Sequence, residues 1–243
     1  MVSRTLAVAG ATILLLLAGC SAPLQTGTPA GAPANATGTT ISVDATADAS
    51  APPDLALVHV AVVSTAADAN AARRRTAENA SSMRDALRAS GIDADGIHTT
   101  YYNLDAVHGD STNGSRITGY RAVHGFEIEA GVDAAGSVVD TAVANGANRV
   151  EGVTFTLTTE TRRTLRREAL GRAMTNARGD ADAIANASGV SITSVRSAST
   201  SDLGVQPFEA RVAGGGGGTS TTIEPGPVRV SATVSVTYRA ERG

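Results

Sequence analysis

The sequence predicts an α+β fold in which a largely antiparallel sheet carries two long helices and one short helix on one face. Two observations predict it. Several segments alternate apolar and polar residues with a period of two, and others repeat apolar residues every three or four positions. The alternating segments often follow one another across short polar connections, which favours antiparallel hairpins. The clearest alternation runs from Val228 to Arg239, so this strand is expected to bury one face only.

Seven strands are predicted in the element order β-β-α-β-β-α-β-α-β-β. The second strand, 55–63, is apolar on both faces and is expected to lie at the centre of the sheet. Polar or glycine-rich residues at 105–116 and 202–222 are expected to form loops. The other predicted strands are 41–45, 98–104, 117–132, 149–158, 190–199 and 228–239.

Three helices follow from the apolar periodicity. The first long helix is expected to start at a capping box formed by Thr65 and Asp68 and to stop at Gly91. The short helix covers 135–145, and the second long helix runs from about Glu160 to Ser188, with Gly189 ending it. The stripe of this last helix is almost all alanine, which predicts very close packing; its members are Leu165, Ala169, Ala173, Ala177, Ala181, Ile184 and Ala185.

The N-terminus has the pattern of an export signal, predicted to be a signal peptide over residues 1–19. Arg4 precedes an apolar run at 6–18, and Leu17-Ala18-Gly19-Cys20 matches a lipobox, the signal for lipid attachment to the cysteine. The run spans about 20 Å as a helix, against roughly 30 Å for a bilayer core, so it is too short for an ordinary membrane span. We therefore expect lipidation of Cys20; the alternative is a plain signal peptide in which this cysteine falls by chance.

Residues 20–40 carry the lipidated Cys20 and a flexible linker rich in Pro, Gly, Ala and Thr, and residues 41–240 form the folded domain. As a coil, a linker of this size spans about 25 Å. The predicted location is the cell membrane, lipid-anchored and facing outside the cytoplasm. Two N-x-S/T triplets, at Asn35 and Asn113, are candidate glycosylation acceptors, whereas Asn79 and Asn186 fall within predicted helices.

The composition excludes several classes of function. The net charge of −3 offers no basic field for nucleic acid, and the single cysteine, Cys20, leaves no cysteine for a disulfide or a metal. Aromatic residues make up 3% of the chain and Trp is absent, so stacking platforms are poorly supplied. All 20 basic residues are Arg, which suits a GC-rich genome and, with the acidic balance, a salt-loving archaeon.

The titratable residues suggest no catalytic site, metal site or cofactor. The four histidines lack metal-ligand spacing, and no G-x-S-x-G motif accompanies them. A hydrolase built from His98 or His124 with Asp105 is therefore a remote alternative. Glu127 and Glu129 share a strand face and could form a carboxylate pair, although a solvated face beside Arg121 explains them better. The histidines are His59, His98, His108 and His124.

Three further clusters have simple explanations. The glycine run at 214–218 lacks the flanking strand and helix of a phosphate-binding loop, so a flexible loop is expected. Two arginine groups could contact anionic lipid, or could be the charged outer faces of helices. They are Arg73, Arg74 and Arg75, and Arg162, Arg163, Arg166 and Arg167.

The ordered set of short motifs resembles the SIMPL-domain family. The matching stretches cover nearly all of the folded part, and their order and spacing carry the resemblance because no single motif is specific. The chain has Ala45 and Ala47 where the family usually has glycines. The stretches are Pro53-Asp54, Gly91-Ile92, Ile97-His98-Thr99 with Tyr101 and Leu104, Gly119 to Ala122, Gly146 to Val150 with Val153 to Phe155, Ala169 to Gly189 at helical spacing, and Pro225-Gly226 with the strand to Tyr238.

The resemblance implies an extracytoplasmic α+β domain of unknown function, sometimes oligomeric, found in bacteria and archaea and linked in bacteria to envelope or oxidative stress. It implies no catalytic residues. We therefore expect a non-enzymatic, lipid-anchored protein that contacts the membrane through Cys20 and acts on an unknown envelope protein or as a homo-oligomer. The alternatives are a surface ligand-binding protein, with a cleft near Tyr101, Tyr102 and Tyr120, and the hydrolase already mentioned.

Overall fold

A computed structural model describes residues 38–109, 116–210 and 223–242. Within them the chain forms eight strands and three α-helices. The strands are β1 (Thr39–Ala51), β2 (Leu55–Ala66), β3 (Ile97–Gly109), β4 (Arg116–Ala130), β5 (Arg149–Thr156), β6 (Val190–Gln206), β7 (Phe208–Ala210) and β8 (Val228–Arg242), and the helices are α1 (Ala69–Ala89), α2 (Ala135–Ala144) and α3 (Thr159–Ser188).

The α+β class and the antiparallel pairing are confirmed, but the strands divide between two sheets where the sequence predicted one. A five-stranded sheet has the order β3-β4-β2-β5-β7, and a three-stranded sheet has the order β1-β8-β6. Every pair of neighbouring strands is antiparallel. As predicted from its two apolar faces, β2 lies at the centre of the larger sheet.

Each sheet packs its own long helix. Helices α1 and α2 cover one face of the five-stranded sheet, and α3 lies on the three-stranded sheet against β1 and β8. The larger core joins Val58, Val60 and Val62 to Phe126 and to Met83 of α1. The smaller sheet buries a strictly alternating face of β8, from Val228 to Ala240, as its period of two predicted.

The helix ends agree with the sequence in most places. Gly91 (φ 98°), Gly146 (φ 128°) and Gly189 (φ 64°) follow the three helices with positive φ, where a residue without a β-carbon is favoured. The predicted capping box at Thr65 is wrong. Asp68 is itself the N-cap of α1, and its carboxylate accepts a hydrogen bond from the Ala71 N–H at 2.9 Å.

Two predicted loops are shorter than expected. Strand β3 continues to Gly109 and β4 starts at Arg116, so strand pairing takes up half of the polar stretch 105–116 predicted as a hairpin loop. Strand β6 extends to Gln206, and the short β7 pairs with β5, both within the predicted loop at 202–222. A polar composition hid these strands because edge strands need no apolar face on the solvent side.

Helix α3 buries one residue in every four. Its buried positions are Leu165, Ala169, Ala173, Ala177, Ala181 and Ala185, so the predicted alanine stripe is confirmed except for Ile184, which is 44% exposed. The small side chains bring the helix close to β1 and β8, where Val43, Val236 and Tyr238 complete the core.

Candidate functional site

Paired histidines and glutamates lie on the face of the five-stranded sheet opposite α1 and α2, here called the outer face. His59 Nδ1 lies 3.8 Å from a Glu127 carboxylate oxygen, and His98 Nε2 lies 3.7 Å from one of Glu129. The two glutamates share a face, as predicted. Their side chains are 28% and 46% exposed, and each pair is ionic only when its histidine is protonated. The arrangement matches the solvated face that the sequence favoured.

The same outer face holds a long tyrosine contact that the sequence did not reveal. Tyr101 on β3 reaches across β4 and β2, and its hydroxyl donates a short hydrogen bond to Glu151 on β5. Its ring lies over Gly125, where an added β-carbon would come within 2.2 Å of the ring. Glu151 lies in a bulge, since the β2–β5 register skips it between Gly152 and Val150.

The surroundings of Tyr101 keep its hydroxyl protonated. Burial raises the pKa of Tyr101 most, and the hydrogen bond to Glu151 and the negative charge of Glu151 raise it further against a smaller opposing effect of Arg149. The phenol therefore acts as the hydrogen-bond donor to the Glu151 carboxylate. This contact positions β3 relative to β5 across the two strands that lie between them.

His124 lies on the opposite face, beneath α1, in an aromatic group. Its ring is 4.1 Å from that of Phe126 and 5.3 Å from that of Tyr102, and Nε2 lies 3.0 Å from the Thr99 hydroxyl. Burial, and then the charge of Arg84, lower the pKa of His124. A shallow groove of about 280 Å³ opens here, with Tyr102 and His124 among its lining residues.

The structure does not bring together the residues of the remote hydrolase hypothesis. His98 pairs with Glu127 and so lies on the outer face, whereas His124 pairs with Tyr102 and lies on the helix face. Asp105 shares the outer face with His98 but is seven residues further along β3. The predicted tyrosine cleft is also divided, because the consecutive residues Tyr101 and Tyr102 point to opposite faces.

Asp54 links the segment that connects the two sheets to the start of α3. It follows the turn at Pro52 and Pro53, between strands of different sheets, and accepts hydrogen bonds at the start of α3. One carboxylate oxygen accepts the Thr158 N–H at 2.6 Å; the other accepts the hydroxyls of Thr158 at 2.8 Å and Thr161 at 2.5 Å. Thr158 is also the N-cap of α3. These contacts give a structural role to Asp54 of the Pro53-Asp54 motif, which lies just before β2.

Burial opposes ionisation of Asp54, but hydrogen bonds from Thr161 and Thr158 outweigh it and lower its pKa. Because the folded-state pKa is depressed, the stabilising contribution is complete above the unfolded pKa near 3.8 and is lost as pH falls through the folded value. Asp54→Asn is expected to lower the free energy of unfolding at neutral pH by about 1–2 kcal/mol, measured by urea denaturation. The variant should also lose part of the acid sensitivity below pH ~4.

Asp105→Asn is the matched control, since this exposed carboxylate lies on β3 away from the junction. We expect its unfolding curve to overlay that of the wild type. Equal losses in the two variants would show that the Asp54 hydrogen bonds add nothing beyond a general charge effect.

Several predicted sites lie outside the described residues: Cys20, Asn35, Asn113 and the glycine run at 214–218. Asn79 and Asn186 lie in helices α1 and α3, as expected. Across the described ranges, no three His, Cys, Asp or Glu side chains are grouped so that they could hold a metal ion. In the same part of the chain, no helix combines the length and apolar character needed to cross a membrane.

The geometry defines an α+β domain of two antiparallel sheets, each with its own long helix. The chain belongs to the SIMPL family, whose model, described as a protein of unknown function (DUF541), matches residues 41–238. The resemblance inferred from the ordered motifs is therefore confirmed. A search of curated proteins found no match.

Proposed function

We propose that this SIMPL-family protein is exported, is held at the outer face of the cell membrane by lipid on Cys20, and acts there without catalysis through contacts with envelope proteins. The observation that carries the proposal is the run Leu17-Ala18-Gly19-Cys20 behind a short apolar segment. The linker that follows joins this segment to β1 near Thr39, where the folded part begins.

Two features of the described residues support action by protein contact. Among the described strands, β6 is at the edge of its sheet and pairs only with β8, and most of its described side chains are exposed. An edge strand of this kind can accept a strand from another chain. In addition, the histidines considered for catalysis lie on opposite faces of the larger sheet.

A ligand-binding role is the second candidate, and the groove at Tyr102 and His124 is the place for it. Its volume of about 280 Å³ falls just below the usual range of roughly 300–1,000 Å³ for small-molecule sites. The groove is also shallow, so it would leave much of a ligand exposed to water. These properties favour protein contact over a ligand pocket.

The anchor is tested by replacing Cys20 with serine and feeding cells a labelled fatty acid. We expect the wild type to incorporate label and to sediment with membranes, and Cys20→Ser to incorporate none, because lipid attachment requires the thiol. Ser21→Ala is the control, since it changes the adjacent residue and leaves the four-residue run intact. A wild type that takes up no lipid and is as soluble as Cys20→Ser would rule out the anchor.

The protein contacts are tested separately, by crosslinking the native protein in intact cells and identifying what is attached to it. Recovery of a defined envelope protein, or of a second copy of the chain, is the expected result. Crosslinking that returns no protein, together with a saturable small-molecule ligand in the groove at Tyr102, would favour the second candidate.

A further inference from the structure

The first two turns of α3 carry a group of four arginines, here called the arginine row, with Glu160 as the acidic residue of the first turn. Arg162 and Arg166 are four residues apart, and so are Arg163 and Arg167. At this spacing like charges destabilise a helix. Among the described residues none of the four forms an ion pair, whereas Arg172 and Arg178 further along α3 each pair with a carboxylate four residues away. The row consists of Arg162, Arg163, Arg166 and Arg167.

A groove of about 210 Å³ lies between this row and the three-stranded sheet. Thr159 and three of the arginines form its helix side, and Val205 of β6 and Val230 of β8 form an apolar floor. At the start of α3 the Thr158 N–H donates to Asp54 and the Thr161 N–H donates to the Thr158 hydroxyl, so these two donors already have partners. The positive charge of the groove therefore comes from the guanidinium groups of the arginines. Arginine forks bind carboxylates in a bidentate manner.

Strand β6 provides open backbone groups in a run that ends four residues before the groove floor at Val205. It pairs only with β8 among the described strands, and its other edge leaves N–H and C=O groups open. Bulges interrupt its register with β8 at three places, leaving a regular five-residue run from Ser197 to Ser201. A short extended peptide can add to such a run, whereas a phosphate or a lipid headgroup makes no use of a strand edge.

The groove lies near the end of β1 that is far from Thr39. Along β1, Thr39 pairs with Ala240 and Ala51 pairs with Val228, two residues from the groove floor at Val230. Since Val230 pairs with Ala49, ten residues beyond Thr39, the strand places the groove about 33 Å from the start of β1.

We propose that the groove between the arginine row and strands β6 and β8 binds a short, extended, acidic segment of a partner protein. Carboxylates of the segment bind Arg162 and Arg166, and an apolar side chain packs on Val205. This proposal rests on the protein-contact part of the proposed function and names the chemistry of the partner. It does not depend on the lipid at Cys20.

The test is fluorescence anisotropy with a labelled peptide of alternating glutamate and valine. The protein is the chain from residue 20 with Cys20→Ser, which keeps every described strand and helix because these lie within 38–242. We expect saturable binding that weakens with added salt, and roughly tenfold weaker binding by R162Q/R163Q/R166Q. The Tm of this variant should be unchanged or higher, since it removes like-charge pairs.

R73Q/R74Q/R75Q is the matched control, because it removes the same charge from α1, away from the groove. It should bind the peptide as the wild type does, and a glutamine-for-glutamate peptide should bind neither protein. No binding by the wild type, or equal weakening in both triple variants, would overturn the proposal. So would preferential binding of inorganic phosphate or phosphatidylglycerol vesicles, or a homo-oligomer that R162Q/R163Q/R166Q dissociates. Lipid labelling of Cys20 is unaffected by any of these outcomes.

Discussion

Replacing Phe126 with alanine is expected to lower the free energy of unfolding by about 3–5 kcal/mol. The side chain is 1% exposed and belongs to the core between the five-stranded sheet and α1. Its ring contacts that of His124 at 4.1 Å, and the Arg84 guanidinium carbon lies 5.8 Å from its centre. Alanine would remove these contacts and leave a cavity that β4, paired on both edges, cannot close. Urea denaturation followed by circular dichroism measures the change.

Phe208→Ala is the matched control for this prediction. Phe208 is 36% exposed and lies on β7, a three-residue strand at the edge of the same sheet. The same loss of side-chain atoms should therefore cost much less, since the space left is open to water. If the two alanine variants unfolded at the same urea concentration, Phe126 would not be a core residue.

Replacing Ala177 with leucine is expected to lower the free energy of unfolding by about 1–3 kcal/mol. Ala177 is fully buried between α3 and the three-stranded sheet, beside Val236 and Tyr238. A larger side chain would have to push the helix away from β1 and β8, or adopt a strained rotamer. Chemical denaturation measures the loss of stability, which should be accompanied by faster hydrogen exchange in β1 and β8.

Ala183→Leu serves as the control because Ala183 is exposed on the same helix. Leucine and alanine are both strong helix formers, so we expect a change of less than about 0.5 kcal/mol. A comparable loss at both positions would mean that the alanine stripe does not determine how closely α3 packs.

The helix ends and the buried faces show how far the sequence alone could reach. Gly91 and Gly189 marked two helix ends because the positive φ that closes a helix is a local requirement. The error at Thr65 has a local cause as well: Asp68 fits either the third helical position of a box begun at Thr65 or the N-cap itself. Only the position of the first helical turn distinguishes the two.

Ile184 shows the limit of periodicity in a helix whose buried positions recur every four residues. An apolar residue one position from Ala185 fits an average period of 3.6, but the observed contact follows a single row of positions four apart. The direction in which α3 crosses the sheet selects that row. This direction depends on the sheet and is absent from the helix sequence.

Side-chain facing on β3 was also beyond the sequence. The register with β4 shifts between Thr99 and Tyr101, so a count by twos along β3 gives the wrong face on one side of the shift. The contact between Tyr101 and Glu151 depends on this shift and on a second one in β5. Gly125 was the one available signal, because a glycine within a strand often marks the close approach of another group.

By itself the sequence determined the α+β class, the three helices, the central position of β2, the one-sided burial of β8 and the family. It also predicted the export signal and the lipid on Cys20. These features depend on local pattern, which each segment carries independently of its neighbours. The tertiary structure alone decided that the strands form two sheets, that Asp54 links them at the start of α3, and that the arginine row borders an open strand edge. A period of two is the same in either sheet, and the partner of each strand is chosen by contacts between residues far apart in the chain.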